Sequence, residues 1–199
     1  AQLAINNPED QELTEKVLQK TLKNCNRASQ VMQSILSLAN GETEKKQITN
    51  LKDLVEEIFT CLCRDFKKDK ISVKVEIPDN LTIKVIPVQL QQVIMNLILN
   101  ARDAMLKTGG NLTITASEES DQVIVSVSDT GCGIKQENVE RIFEPFFSTK
   151  SNDDSNTDSG NGLGLSFCKK VVHYYNGTIT VDSQVDQGTT FKISLPQSQ

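Results

Sequence analysis

Two glycine clusters, Asp129-Thr-Gly-Cys-Gly133 and Gly160-Asn-Gly-Leu-Gly-Leu165, stand on either side of a strongly polar tract. Asp129 follows a run with Val123, Val125 and Val127 on one face, so it stands where a strand leaves its sheet. A carboxylate there can accept from an exocyclic amine such as adenine N6, while Gly131 and Gly133 let a base lie close without Cβ interference. An ordinary Asp-x-Gly turn would read the same way. The second cluster, with Gly160, Gly162, Leu163 and Gly164, runs into Leu165-Ser-Phe-Cys-Lys-Lys-Val-Val-His173, which reads as a helix. The free N–H groups of a helix N-terminus attract phosphate. A carboxylate at one end and an anion cradle at the other suggest a nucleotide, base to phosphates.

A third group lies on a helix expected over 87–107. At 100° per residue, Leu90, Ile94, Leu97, Ile98, Ala101 and Met105 fall on one side, and Gln89, Gln92, Asn96, Asn100 and Asp103 on another. Asparagine is a weak helix former because its amide competes for backbone hydrogen bonds, so two of them four apart need a reason. Side-chain carbonyl oxygens are hard ligands suited to Mg²⁺, which completes its shell with water and phosphate. A solvated polar face is the plainer alternative.

Between the glycine clusters, Ser148–Gly160 carries no aliphatic or aromatic residue and cannot offset its ordering entropy by burial. It reads either as a lid between two ligand-facing elements or as a surface loop. Phe143-Glu-Pro-Phe-Phe147 supplies aromatic bulk to anchor its start.

The elements that must position these groups follow from periodicity. Residues 9–39 form a long amphipathic pattern, with Leu13, Val17, Thr21, Cys25, Ala28, Met32, Ile35 and Ala39 three and four apart. Asn7-Pro8-Glu9-Asp10 suits its start and Asn40-Gly41 its end. Such a stripe must pack on another helix, in this chain or a second copy. Charged residues 42–49 read as a linker. Asn50 then caps a second helix whose apolar face is Leu51, Leu54, Val55, Ile58, Phe59 and Leu62. Ser72–Ile77 and Leu81–Val85 read as paired strands around a turn at Asp79-Asn80. Strands are expected at 111–117, 122–128, 178–183 and 190–195, a short helix at 135–143 and a last one at 163–175. Helices alternating with antiparallel hairpins imply an α+β fold, a two-layer α/β sandwich behind a long N-terminal helix. The division is 1–41, 42–49 and 50–199.

A net charge of −5 argues against a general nucleic-acid binder. No apolar run approaches the roughly 20 residues needed to span a bilayer, so any membrane anchor would lie outside this sequence. The five cysteines form no CxxC pair and are expected as buried free thiols in a reducing cytoplasm.

Asn96-Leu-Ile-Leu-Asn-Ala-Arg-Asp-Ala104, Asp129-Thr-Gly-Cys-Gly133, Phe143-Glu-Pro-Phe-Phe-Ser-Thr-Lys150 and Gly160-Asn-Gly-Leu-Gly-Leu165 resemble, in order and spacing, the N, G1, F and G2 boxes of sensor histidine kinases. Gly188-Thr-Thr-Phe191 resembles the final strand signature of the same ATP-binding domain, and the likeness covers about 50–196. The resemblance implies a Bergerat-type (GHKL) fold binding Mg-ATP in a two-component system. It implies Asn100 as metal ligand, Asn96 near the phosphates, Asp103 among the nucleotide-binding residues, and Asp129 as adenine reader assisted by Thr189 through water. It also implies Gly162, Leu163 and Gly164 as the phosphate loop, with Lys150 reaching the phosphates.

ATP-hydrolysing relatives on this fold carry a glutamate four residues before the metal-binding asparagine. Asn96 holds that place here, a far weaker base, which favours transfer over hydrolysis. The acceptor is absent from view. His173, the only histidine, lies in the helix after the second glycine cluster, where the family does not place its phosphorylated residue. Residues 9–39 resemble the second helix of the dimerisation and phosphotransfer hairpin, implying a homodimer, a histidine-bearing helix and a response-regulator receiver domain as partners. A nucleotide-binding regulatory module and a slow ATPase are the other two readings.

Overall fold

The computed structural model describes residues 10, 12–15, 17–18, 21, 45–62, 66–149 and 162–197. The chain divides into two compact units, Ala1–Asn40 and Gly41–Gln199. In the first, Asp10 caps a helical turn, its carboxylate accepting from the N–H of Leu13 at 2.9 Å. The rest of the helix expected over 9–39 lies largely outside the described residues.

The second unit runs β1 (Gln47–Asn50), α1 (Leu51–Leu62), a 3₁₀ turn (Phe66–Asp69), β2 (Ile71–Glu76), β3 (Thr82–Val85) and α2 (Pro87–Met105). It continues with β4 (Gly110–Glu119), β5 (Gln122–Asp129), α3 (Gln136–Val139), α4 (Gly164–Tyr174), β6 (Thr178–Gln184) and β7 (Gly188–Pro196). Five strands form one sheet in the order β2-β4-β5-β7-β6, and β1 pairs with β3 in a second, two-stranded sheet. Alternating residues of the large sheet, among them Leu112, Ile114, Val123, Val125, Val127, Phe191 and Ile193, are buried. They join Leu90, Ile94, Leu97, Ile98 and Met105 of α2 and Phe167, Val171 and Val172 of α4 in a single core. Helices therefore cover one sheet face, the two-layer α+β arrangement that the alternation implied.

The starts of α1 and α2 follow their sequence. The side chain of Asn50 accepts from the N–H groups of Lys52 (2.8 Å) and Asp53 (3.1 Å), satisfying two donors that would otherwise be orphaned. Pro87 opens α2, where its missing N–H costs nothing.

The expected β2–β3 hairpin does not form. The turn is present, with the N–H of Leu81 on the carbonyl of Pro78 at 3.2 Å. Yet β3 pairs antiparallel with β1, Gln47 opposite Val85, and β2 pairs parallel with β4, Ile71 opposite Gly110. A parallel pair needs a long crossover, and α2 supplies it. β1 falls within the stretch expected as linker. Its four residues carry one apolar side chain, Ile48, which is exposed, so no alternation betrays the strand.

Tyr175, just past α4, ties that helix to α2. Its buried hydroxyl donates to Oε1 of Gln89 at 2.8 Å and accepts from the N–H of Ile86 at 2.9 Å. Tyr175→Phe should cost about 1–3 kcal/mol, because it leaves that buried N–H without its acceptor. Urea melts of the two proteins, compared at equal m-value, check this.

Candidate functional site

The end of β5 builds one half of the site. Asp129 is 8% exposed and stands directly opposite Thr189 of β7, so their side chains share a face of the sheet. Oδ1 of Asp129 accepts from the N–H of Gly131 at 2.8 Å, and the N–H of Thr189 points to the same carboxylate. Burial pushes this carboxyl above the ordinary aspartate range, and the two N–H donors only partly counter it. The chain must turn tightly here. A Cβ on Gly188, at φ +126°, would strike the carbonyl of Asp129. Gly131 abuts Ala104 of α2, where a Cβ would come within 2.7 Å of the alanine side chain, and the N–H of Cys132 donates to the carbonyl of Ala104 at 3.1 Å.

The start of α4 builds the other half. Gly162 adopts φ +64°, and its carbonyl accepts from the N–H of Phe146 at 2.9 Å, fastening the aromatic segment to the glycine loop. Leu163 occupies the N-cap position with no side-chain cap, so the first N–H groups of α4 have no capping side chain. Ser166 turns its hydroxyl back to the carbonyl of Leu163 at 3.0 Å.

Helix α2 connects the halves. At its middle, Nδ2 of Asn96 donates to the carbonyl of Gly164 at 3.5 Å, and near its end Ala104 meets Gly131. Eight residues at 1.5 Å each separate these contacts, about 12 Å. That suits a ligand extended from an aromatic base to a chain of phosphates. Asn100 lies between them, half-buried, its amide engaged by no group among the described residues.

The polar stripe of α2 is only partly open. Gln89 and Gln92 are buried, at 6% and 7% exposure. Gln89 binds Tyr175, and Nε2 of Gln92 donates to Oδ1 of Asn96 at 3.3 Å. These amides, read as part of an open face, join α2 to its surroundings instead. Asp103 pairs with Nη1 of Arg102 at 3.5 Å, and Nε of Arg102 bonds Oδ2 of Asp69 at 2.7 Å. The buried Arg102 was missed in sequence, although an arginine between Ala101 and Asp103 near the end of an apolar stripe was a signal. Ser183 was missed too; its hydroxyl contacts Ile134, Gly188 and Thr189.

Lys150 and Gly160, with the tract between them, lie outside the described residues. Of the described cysteines, Cys168 is buried, its thiol pushed up to about 12 by burial, but Cys61 and Cys132 are exposed. The expectation of uniformly buried thiols is corrected there. Cys61 ends up on the solvent side of α1, and Cys132 on the outer side of a glycine turn whose backbone faces Ala104.

Residues 85–199 match the family model described as histidine kinase-, DNA gyrase B- and HSP90-like ATPase. Sensor kinase CckA of Brucella abortus is 35% identical over 88% of this chain. The chain spans 20% of that protein and a little over a third of other curated relatives. Among solved structures, a nucleotide-free catalytic domain of histidine kinase ThkA is 30% identical, with a TM-score of 0.67 over 78% of this chain and 99% of that one. A structure of ThkA in complex with response regulator protein TrrA is 25% identical, with a TM-score of 0.74 over 95% of this chain and 53% of that one.

Proposed function

This chain belongs to the family of histidine kinase-, DNA gyrase B- and HSP90-like ATPases, and we propose that it is the Mg-ATP-binding catalytic domain of a two-component sensor histidine kinase. The observation that supports this most is the pairing of buried Asp129 with Thr189 at one end of α2, and of Asn96 with the uncapped start of α4 at the other. In this reading Asp129 accepts from the adenine amine, and Gly131 and Gly133, where a Cβ would strike Ala104 and the carbonyl of Gln184, shape the turn that follows it. Gly160, Gly162, Leu163 and Gly164 would present backbone N–H groups to the phosphates, with Lys150 reaching them from the start of the polar tract.

The donor set suits magnesium. The side-chain oxygen of Asn100 is a hard, neutral ligand at the middle of the ligand path, and phosphate and water complete an octahedral shell. Held there, the ion would supply neutralisation of charge on the transferred phosphoryl group. The amide of Asn96, which donates to Gly164 and accepts from Gln92, has no basic oxygen with which to take a proton from water as a carboxylate would. Residues 1–41 would belong to a dimerisation and phosphotransfer hairpin, and the catalytic domain 50–199 would follow, with β1 at the end of the expected linker 42–49 paired to its β3. The acceptor would be a histidine on a partner helix, and a receiver domain would take the phosphoryl group onward. ThkA, in its complex with TrrA, is a precedent for that partner class. A cytoplasmic site is the corresponding location, and no helix among the described residues is long and apolar enough to cross a membrane.

Incubation with labelled ATP and a separately supplied histidine-bearing helix tests the reading. Label on the added helix is the expected result. Bound ATP with no label transferred would make this a regulatory module, and steady phosphate release without acceptor would make it an ATPase.

A further inference from the structure

Ser183 of β6 sits where three segments of the base-binding end meet. Its Oγ accepts from the N–H of Ile134 at 2.8 Å, lies 3.0 Å from the carbonyl of Gly188, and lies 2.9 Å from Oγ1 of Thr189. A hydroxyl has one proton and two lone pairs, and here all three are spoken for. The carbonyl of Gly188 can only accept, so the proton of Ser183 goes to it. The N–H of Ile134 takes one lone pair. The remaining lone pair faces Oγ1 of Thr189, whose own proton must therefore point at Ser183.

We propose that Ser183 is a specificity-determining positioning residue, which holds the hydroxyl of Thr189 as a hydrogen-bond acceptor beside Asp129. This rests on the nucleotide reading of the site and extends it to base choice. Thr189 stands opposite Asp129 on the same sheet face and is 5% exposed, so its rotation is restricted by packing as well. With its proton directed away, Thr189 shows the ligand only lone pairs, as does the ionised carboxylate next to it. Two adjacent acceptors suit an exocyclic amine, which carries two hydrogens. They repel a carbonyl oxygen in the same place, as guanine presents. Without Ser183 the proton of Thr189 is free to turn toward the ligand, and the repulsion of a carbonyl weakens.

The test is calorimetric titration of the 199-residue chain with Mg-ATP and Mg-GTP, for the parent protein, Ser183→Ala and Ser183→Thr. The expected result is a fall of about tenfold in the preference for ATP over GTP in Ser183→Ala, the size of one discriminating hydrogen bond. Ser183→Thr, which keeps the hydroxyl, should restore the preference. A purely structural role would lower the melting temperature and both affinities together, leaving the ratio intact. An unchanged ratio in Ser183→Ala therefore overturns the proposal. Should that variant not fold, Thr189→Val carries the test, since it deletes the oriented hydroxyl itself; an ATP-to-GTP preference equal to the parent's overturns the proposal equally. Failure of the parent protein to bind ATP at all would instead overturn the nucleotide reading beneath it.

Discussion

Asp129→Asn should abolish most ATP affinity, by a factor on the order of 100, while leaving the fold as stable as before or more so. The binding loss follows from counting acceptors. The carboxylate has two oxygens and already serves the N–H groups of Gly131 and Thr189. An ionised acceptor adds about 1.5–3 kcal/mol per hydrogen bond, and the amide of asparagine offers one oxygen plus an NH₂ group that opposes the adenine amine. With the two lone pairs of the amide oxygen taken by the N–H groups of Gly131 and Thr189, the adenine amine is left unpaired. Stability moves the other way. Burial raises the carboxyl above its ordinary value, so the native state binds this proton more readily than the unfolded chain. The contribution of Asp129 to stability is then largest at low pH and falls as pH rises above the ordinary value of 3.8 toward its folded value. Where Asp129 is ionised, the parent protein carries a buried charge whose cost the neutral amide removes. Thermal melts of both proteins at pH 5 and pH 8, beside ATP titrations, check both halves. Retained ATP affinity in a folded Asp129→Asn protein would refute the pocket.

That opposition between ligand affinity and stability also explains which parts of the molecule were legible in sequence. Core positions on α2, β4 and β5 repeat at 3.6 or 2 residues, and burial forces that periodicity onto the chain. Asp129 and the glycines were legible for the opposite reason. A carboxylate after a valine run, and glycines where a Cβ would strike Ala104 or Phe146, are choices that packing alone does not make. What escaped were features fixed by partners distant in sequence. β1 and β3 pair across more than thirty residues, and the lone apolar residue of β1, Ile48, faces solvent. The parallel β2–β4 pair could not be told from a local hairpin, because the turn between β2 and β3 is present in both arrangements. Gln89, Gln92 and Arg102 share the helix with Asn100, and only their contacts with Tyr175, Asn96 and Asp69 separate structural polarity from ligand-facing polarity. A polar stripe shows that something polar lies opposite; it does not say whether that is protein or ligand.

Asn100→Ala draws that distinction by experiment. Within the interior of α2, asparagine is less favourable than alanine by several tenths of a kcal/mol. Its amide has no partner among the described residues, so no bond to them is lost with it. The variant should melt at or above the temperature of the parent protein. Its ATP affinity in the presence of EDTA should be unchanged, because the base and the phosphate loop are untouched. The tightening of ATP binding on adding magnesium should vanish, and phosphoryl transfer to a supplied histidine helix should fall by about 100-fold or more, as expected when a charge-neutralising site at the transferred group is removed. Asn96→Ala gives the contrast. It removes the bonds to Gly164 and Gln92, so it should lower the melting temperature and loosen the start of α4, weakening ATP binding with and without magnesium alike. If instead Asn100→Ala kept its full magnesium response while Asn96→Ala lost it, the metal ligand would be Asn96. Its Oδ1 would then have to turn from Nε2 of Gln92 to the ion, while Nδ2 could keep its bond to the carbonyl of Gly164.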